Sequence, residues 1–303
     1  MTDLTGDLSL EGRVAVVTGA GAGLGRAEAE ALAAAGAHVV LNDLPGAADE
    51  AADSIRQAGG AASVVAGDVG ERSTADALVA AADDLGRLDI VVNNAGVTRD
   101  RMIFNMSDEE WDAVIRIHLR GHFLLSRNAA AYWRAESKRT EGPVYGRLVN
   151  TSSEAFLSGS PGQPNYAAAK AGITALTLSA ARGLSRLGVT ANAICPRART
   201  AMTAGVFGEN DESGADVDPL SPEHVAPLVA YLASPAAQRI NGQVFVVYGG
   251  MVALLAAPVV EQRFDAFGDT WDVADLDKQV GSFFADRDPS ICFAADSVMK
   301  LEV

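Results

Sequence analysis

The sequence predicts an α/β fold built on a doubly wound parallel sheet. Three observations carry that expectation. Short β-branched runs alternate with alanine-rich helical stretches, the strand candidates are apolar nearly throughout, and a glycine-rich turn joins the first strand to the first helix. Strands that are apolar on both faces are expected where helices cover both sides of a parallel sheet. Repeated β-α units imply right-handed crossovers and hence a layered, open sheet.

Taken in order, a strand is expected at residues 13–18 and a helix at about 24–35. A second strand at 37–42 precedes a helix at about 47–58, and strands at 63–66, 89–93, 147–151, 189–194 and 243–247 bring the sheet to seven. Ser107-Asp108-Glu109-Glu110 fits a capping box, with the serine oxygen for the third amide and Glu110 reaching back. The helix it opens runs through Trp111 to about residue 134. Helix 164–183 carries the small residues Ala167, Ala168, Ala171 and Ala175 on one face, which suits packing within the subunit and packing against a partner equally. Residues 197–222, rich in Gly, Asp, Ser and Pro, read as a long loop near the end of a strand, where α/β folds bind ligands. Residues 251–303 read as an appended helical tail.

Composition narrows the function classes. Of 303 residues, 49% are hydrophobic and 21% charged, enough to bury a large core. The formal net charge of −15, from 24 basic and 39 acidic residues, argues against nucleic-acid binding, which needs a basic surface. Cys195 and Cys292 allow one disulfide, although two cysteines in a chain this long more often stay reduced. No secretory signal pattern opens the chain, and its longest apolar run, 251–260, is too short for a bilayer and contains Pro258. The expectation is a soluble, cytoplasmic protein without membrane insertion and without a metal site.

The first strand runs into Thr18-Gly19-Ala20-Gly21-Ala22-Gly23-Leu24-Gly25. Glycines let the backbone turn tightly and approach a diphosphate, whose charge then rests on the helix N-terminus. The spacing is Gly19-x-x-x-Gly23-x-Gly25, not the strict G-x-G-x-x-G fingerprint, and its place in the first β-α unit favours dinucleotide binding. Asp43 closes the second strand. A carboxylate there accepts hydrogen bonds from the adenosine ribose hydroxyls and repels a 2′-phosphate, so NAD is expected over NADP. The competing reading is that Asp43 merely caps the following helix.

Tyr166 and Lys170 are four residues apart, which puts a phenol beside an ammonium on one helical face. A free phenol titrates near pH 10, too high for proton exchange at neutrality, and a nearby cation favours the phenolate. Such a tyrosine is a workable general acid/base. Taken alone, the pair also fits an ordinary surface contact.

Together these residues resemble the short-chain dehydrogenase/reductase family over nearly all of residues 8–250. The marks are the Thr18–Gly25 turn, Asn93-Asn94-Ala95-Gly96 after the fourth strand, Tyr166-x-x-x-Lys170, and Ser153 thirteen residues before Tyr166. The resemblance implies a Rossmann-type seven-stranded parallel sheet with a C-terminal helical extension. It assigns proton exchange to Tyr166, a hydrogen bond to the same substrate oxygen to Ser153, and a ribose contact and a lowered tyrosine pKa to Lys170. Gly19, Gly23, Leu24, Gly25, Asp43, Asp68, Val69, Asn94, Ala95, Gly96 and Pro196 would line the cofactor cleft along with Tyr166 and Lys170. Residues 1–250 would form a single dinucleotide-binding catalytic domain. The 251–303 extension would pack on that domain or on a partner subunit, within a homodimer or homotetramer.

Two positions depart from the family pattern. His118, in Ile117-His118-Leu119-Arg120-Gly121, stands where an asparagine usually relays protons through water to the lysine. A histidine relay and a packed helix histidine both fit. Arg197 follows Cys195-Pro196 where many members have Pro-Gly, and either meets an acidic substrate or points to solvent. With Asn42-Asp43 and the long tail, these features resemble the dehydrogenase domain of peroxisomal multifunctional β-oxidation enzymes and stand-alone actinobacterial relatives. The implied reaction is NAD-dependent interconversion of a secondary alcohol and a ketone on a small-molecule substrate, a 3-hydroxyacyl-CoA or a steroid-derived alcohol. The alternatives are a 3-oxoacyl-thioester reductase of fatty-acid synthesis, which Asp43 disfavours, and a non-catalytic cofactor-binding scaffold.

Overall fold

In the computed structural model, β1 (Val14–Thr18) and β2 (His38–Asn42) lie parallel at the centre of one half of the sheet, with every β1 residue buried. They are joined by α1 (Gly23–Ala34), and α2 (Asp49–Gln57) leads to β3 (Ala61–Val64). The structure describes residues 6–203 and 218–289, together with 292–295, 298, 300 and 301. The portion of the expected 197–222 loop at 204–217 lies outside them.

The second half adds α3 (Arg72–Asp84), β4 (Ile90–Asn93), α4 (Asp108–Ile115), α5 (Gly121–Arg139), β5 (Gly146–Thr151), the short α6 (Ala155–Ser158), α7 (Pro164–Leu184) and β6 (Val189–Pro196). Then come α8 (Ala226–Ala233), β7 (Val244–Tyr248) and β8 (Met251–Leu254). Strand order is β3-β2-β1-β4-β5-β6-β7-β8, parallel throughout except for β8, which runs antiparallel to β7. The expected seven-stranded parallel sheet is thus extended by one edge strand drawn from the segment read as tail. In that strand Met251 and Ala253 are partly covered while Val252 and Leu254 are exposed, the period-2 alternation of a one-sided edge. The remaining tail is helical in α9 (Val273–Leu276), a π turn at Asp277–Gly281 and α10 (Ser282–Ala285).

Two apolar layers sandwich the sheet. One packs Ala29, Leu32, Ala51, Ile55 and Val229 onto Ala15, Val17, Val39 and Leu41; the other packs Leu78, Leu125, Trp133 and Ala181 onto Val14, Val16, Val91 and Leu148. Each buried valine, leucine or isoleucine among them contributes roughly 1.5–3 kcal/mol relative to exposure. Trp133 is anchored as well, its indole N–H donating to the Leu88 carbonyl at 2.7 Å.

The helix expected from Trp111 to about residue 134 forms, runs on to Arg139 and contains a π turn. The Ser107 capping box forms as predicted, but a π turn at Arg116–Arg120 separates α4 from α5. On α7, Ala168, Ala171 and Ala175 are exposed, so the small-residue face does not serve packing within the subunit. Cys195 is buried and Cys292 exposed, and both are free thiols. Among the described residues no helix is long and apolar enough to cross a membrane.

Candidate active site

Strand reversal about β1 and β4 creates a crevice at the carboxyl ends of these two strands, where open α/β sheets bind ligands. The cofactor-site candidates converge on that edge of the sheet. Gly19, Gly23, Leu24 and Gly25 occupy the β1–α1 turn, Asp43 follows β2, Asp68 and Val69 come after β3, Asn94, Ala95 and Gly96 follow β4, and Pro196 ends β6.

The glycine turn is bound tightly to its neighbours. Thr18 Oγ1 accepts the amides of Asn94 and Ala95 at 3.0 and 3.2 Å, and the Asn94 side-chain amide donates to the Thr18 carbonyl at 3.1 Å. A Cβ on Gly25 would stand 2.1 Å from the Gly19 carbonyl oxygen, so no other residue allows α1 to start this close to the turn. Ala22, the residue that caps α1, offers no side-chain cap, leaving the helix N-terminal amides for a ligand. These features fit a dinucleotide diphosphate.

The Asp43 carboxylate accepts the Gly21 amide at 2.9 Å and the Leu44 amide at 2.8 Å. It ties β2 to the glycine turn and does not cap α2. Arg26, the nearest basic side chain in sequence to the turn, is occupied by Glu30 and Glu50 at 3.0 and 2.9 Å. Asp68 is committed to Arg116 at 2.7 Å and to the Gly70 amide at 2.8 Å. Burial alone would raise its pKa, but those bonds outweigh it and hold the carboxyl below its ordinary value.

Ser153, Tyr166 and Lys170 meet at the end of β5. Ser153 sits in the turn between β5 and α6, its Oγ accepting the Ala155 amide at 3.2 Å. Tyr166 and Lys170 lie on the face of α7 toward the sheet, with Lys170 Nζ 5.3 Å from the phenol ring centroid. Lys170 is buried, and its ammonium donates to the Thr151 carbonyl at 2.6 Å.

Burial dominates the electrostatics of this pair. Burial pushes the Tyr166 phenol up to about 12, with hydrogen bonding from Ser153 partly opposing it. Burial likewise pushes Lys170 down to about 7, against the pull of Cys195 and Glu28. In both groups burial is the largest cause of the shift. Spacing four apart places the pair correctly, whereas desolvation, which disfavours the charged form of both groups, sets their titration.

Behind the lysine stands the π turn, a device often found at functional sites. His118 is buried, its ring meeting Tyr166 edge-on at 5.2 Å between centroids. Its Nε2 lies 3.0 Å from the Val97 amide nitrogen and 2.8 Å from the Val97 carbonyl oxygen, accepting or donating according to tautomer, while Nδ1 has no partner. Burial, and then the Lys170 charge, keep His118 well below its ordinary pKa. The imidazole is neutral at pH 7, able to donate and accept but not to carry charge.

Several residues near the site drew no attention from sequence. His122, one turn beyond His118, is buried with Nε2 unpartnered, and burial followed by Lys170 pushes it to about 3. Glu28 on α1 is fully buried with both oxygens unpartnered and pushed up to about 8 by burial. An acid flanked by alanines on α1 was the available signal for Glu28, and the four-residue spacing from His118 for His122. Arg197 meets neither expectation: it is bound to Glu154 in a largely buried ion pair. Among the described residues no three His, Cys, Asp or Glu side chains gather to hold a metal.

Comparison with known proteins bears on this geometry. A family model described as enoyl-(acyl carrier protein) reductase matches residues 19–252. Hydroxyacyl-CoA dehydrogenase ChsB1 of Mycobacterium tuberculosis is 61% identical over 305 residues, covering 98% of this chain and 96% of that protein. Peroxisomal multifunctional enzyme type 2 of Mus musculus is 40% identical over 264 residues, covering 83% of this chain but 34% of its own length, so the chain spans about a third of that enzyme. Among solved structures, a short chain dehydrogenase from Mycobacterium avium superposes with a TM-score of 0.82 at 43% identity, covering 94% of this chain and 98% of that one.

Proposed function

The chain belongs to the short-chain dehydrogenase/reductase family, and on that footing we propose that it is an NAD-dependent dehydrogenase that oxidises the 3-hydroxyl of an acyl-CoA thioester to a ketone. The observation that carries this reading is the convergence of Ser153, Tyr166 and Lys170 at the end of β5, on the same sheet edge as the glycine turn. Acyl-CoA enters as the substrate class through the 61% identity to a hydroxyacyl-CoA dehydrogenase; carbon skeletons from fatty acids and from steroids both fall within it.

When bound, a nicotinamide dinucleotide supplies the hydride acceptor. The glycine turn and the α1 N-terminus hold its diphosphate, with Asn94, Ala95, Gly96 and Pro196 lining the cleft. Asp43 selects against a 2′-phosphate by charge, and Arg26, the basic side chain nearest the turn in sequence, is taken by Glu30 and Glu50. Asp68 and Val69 border the adenine side, where the carboxyl is already fixed by Arg116.

In oxidation, the substrate O–H proton passes to the Tyr166 phenolate, and in reduction the Tyr166 hydroxyl returns it to the same oxygen. Ser153 donates a hydrogen bond to that oxygen and orients it. Lys170, anchored by Thr151, sits close enough to stabilise negative charge that forms on the phenol oxygen. With its own pKa near 7, it also passes protons on at neutral pH. His118, neutral and held by Val97, is the next hydrogen-bonding group behind the lysine. The exposed Ala168, Ala171 and Ala175 on α7 support assembly as a homodimer or homotetramer through that helix.

The test is a screen of 3-hydroxyacyl-CoA thioesters and hydroxysteroids read by NADH absorbance. Turnover of the thioesters is expected; turnover of free hydroxysteroids alone overturns the acyl-CoA assignment.

A further inference from the structure

Arg197 is the first residue after β6, directly beyond Pro196. Its Nε donates to Glu154 Oε2 and its Nη2 to Glu154 Oε1, both at 2.7 Å, a two-pronged contact that fixes orientation as well as distance. Glu154 is the residue after Ser153 and opens α6. The same guanidinium donates from Nη1 to the Leu301 carbonyl and from Nη2 to the Val298 carbonyl, again at 2.7 Å each. Tyr248, at the end of β7, lies under the guanidinium at 4.7 Å and donates its hydroxyl to the Leu301 carbonyl at 2.7 Å. The Ala295 amide donates to the Leu157 carbonyl of α6 at 3.2 Å. Ala295, Val298 and Leu301 are thus tied to the turn that bears Ser153 or to the arginine that holds it.

Two features separate this cluster from an ordinary surface ion pair. Side-chain exposure is only 13% for Arg197 and 7% for Glu154, so both charges carry a desolvation cost that a solvated pair escapes. Four of the five guanidinium N–H donors are taken, two by Glu154 and two by backbone carbonyls, so no pair of donors is left as a fork for a ligand. A substrate carboxylate or phosphate would have to displace these bonds.

We propose that Arg197 is a positioning residue: through Glu154 it holds the Ser153 turn against the Val298 and Leu301 carbonyls, and so sets where the Ser153 hydroxyl points. This inference rests on the reading of Ser153 as the donor to the reacting oxygen. A shift of the α6 turn by a fraction of an ångström changes where that donor points, and near-attack geometry is sensitive at that scale.

Arg197→Lys tests it, because lysine keeps the charge but loses the fork. We expect kcat/KM for a 3-hydroxyacyl-CoA to fall about tenfold and the NADH Kd to stay within about twofold. The loss should vanish in a Ser153→Ala background, and ending the chain after residue 297 should reproduce it, with R197K adding nothing further. Should Arg197→Lys not fold, Glu154→Gln, which weakens the same contact, is measured in the same two backgrounds. Losses that multiply in both backgrounds, or wild-type kinetics in R197K, overturn the role of Arg197 alone. A Ser153→Ala enzyme that turns over at the wild-type rate instead removes the role of Ser153, and this proposal with it.

Discussion

A Cβ added to Gly96 would stand 2.2 Å from Cε1 of His118, so the glycine that ends Asn93-Asn94-Ala95-Gly96 makes room for the imidazole in the π turn. The histidine thus fills space between the β4 loop and Tyr166, and its Nε2 is held by Val97.

Replacement of His118 by Asn should therefore act on folding first. The shorter side chain leaves a void and loses the Val97 contact, a cost of about 1–3 kcal/mol. Thermal denaturation is expected to show that loss, with turnover per folded molecule reduced less. An H118N enzyme with wild-type Tm and wild-type kcat would instead place position 118 in the proton relay, since asparagine can serve there.

Asp43→Asn removes the charge while keeping the side chain's size. The ratio of kcat/KM for NAD over NADP should fall by about 10- to 100-fold, the worth of one charge-assisted hydrogen bond plus relief of repulsion. Steady-state kinetics with both cofactors measure it, and an unchanged ratio removes Asp43 from cofactor selection.

His122 predicts an acid sensitivity. Its folded-state pKa, about 3, lies below the ordinary 6.5, so between those values the unfolded chain binds a proton that the folded chain does not. Stability then rises with pH across that window and falls as pH drops from 6.5 toward 3. His122→Leu should flatten the dependence of urea midpoints on pH between 4 and 7. His118 contributes with the same sign, so the flattening is partial.

Glu28 acts in the opposite sense. Burial raises its folded-state pKa from 4.5 to about 8, so the folded protein holds a proton that the unfolded chain releases. The associated stability is fully present below pH 4.5 and is lost as pH rises toward 8. Glu28→Gln, which cannot ionise, should raise Tm at pH 8 by several degrees and change it little at pH 5. Equal effects at the two pH values contradict a buried, protonated Glu28.

Much of the site was legible because chemistry and local geometry coincide in it. Glycines at 19, 23 and 25 report a turn that only glycine can make, and Tyr166 and Lys170 share a helix face by spacing alone. The strand positions were legible from apolar runs that helices must cover. Other features depend on contacts between distant segments, which spacing does not encode. The π turn at Arg116–Arg120 accommodates His118 against Gly96 and Val97, and nothing in Arg-Ile-His-Leu-Arg itself departs from an α-helical pattern. Met251–Leu254 becomes a strand because β7 offers it an open edge. Arg197 finds Glu154 from 43 residues away, and the tail carbonyls from more than 100. The pKa values of Tyr166 and Lys170 turned on burial, which four-residue spacing cannot report.

The central claim is that Tyr166 exchanges the substrate proton, and Tyr166→Phe tests it most directly. The variant keeps the ring that packs against His118 and removes only the hydroxyl. NADH binding, measured by fluorescence titration, should stay within about twofold, while kcat for 3-hydroxyacyl-CoA oxidation falls by about 10²–10⁴-fold, the usual worth of a general acid/base. A variant that binds NADH normally and turns over near the wild-type rate would contradict the account.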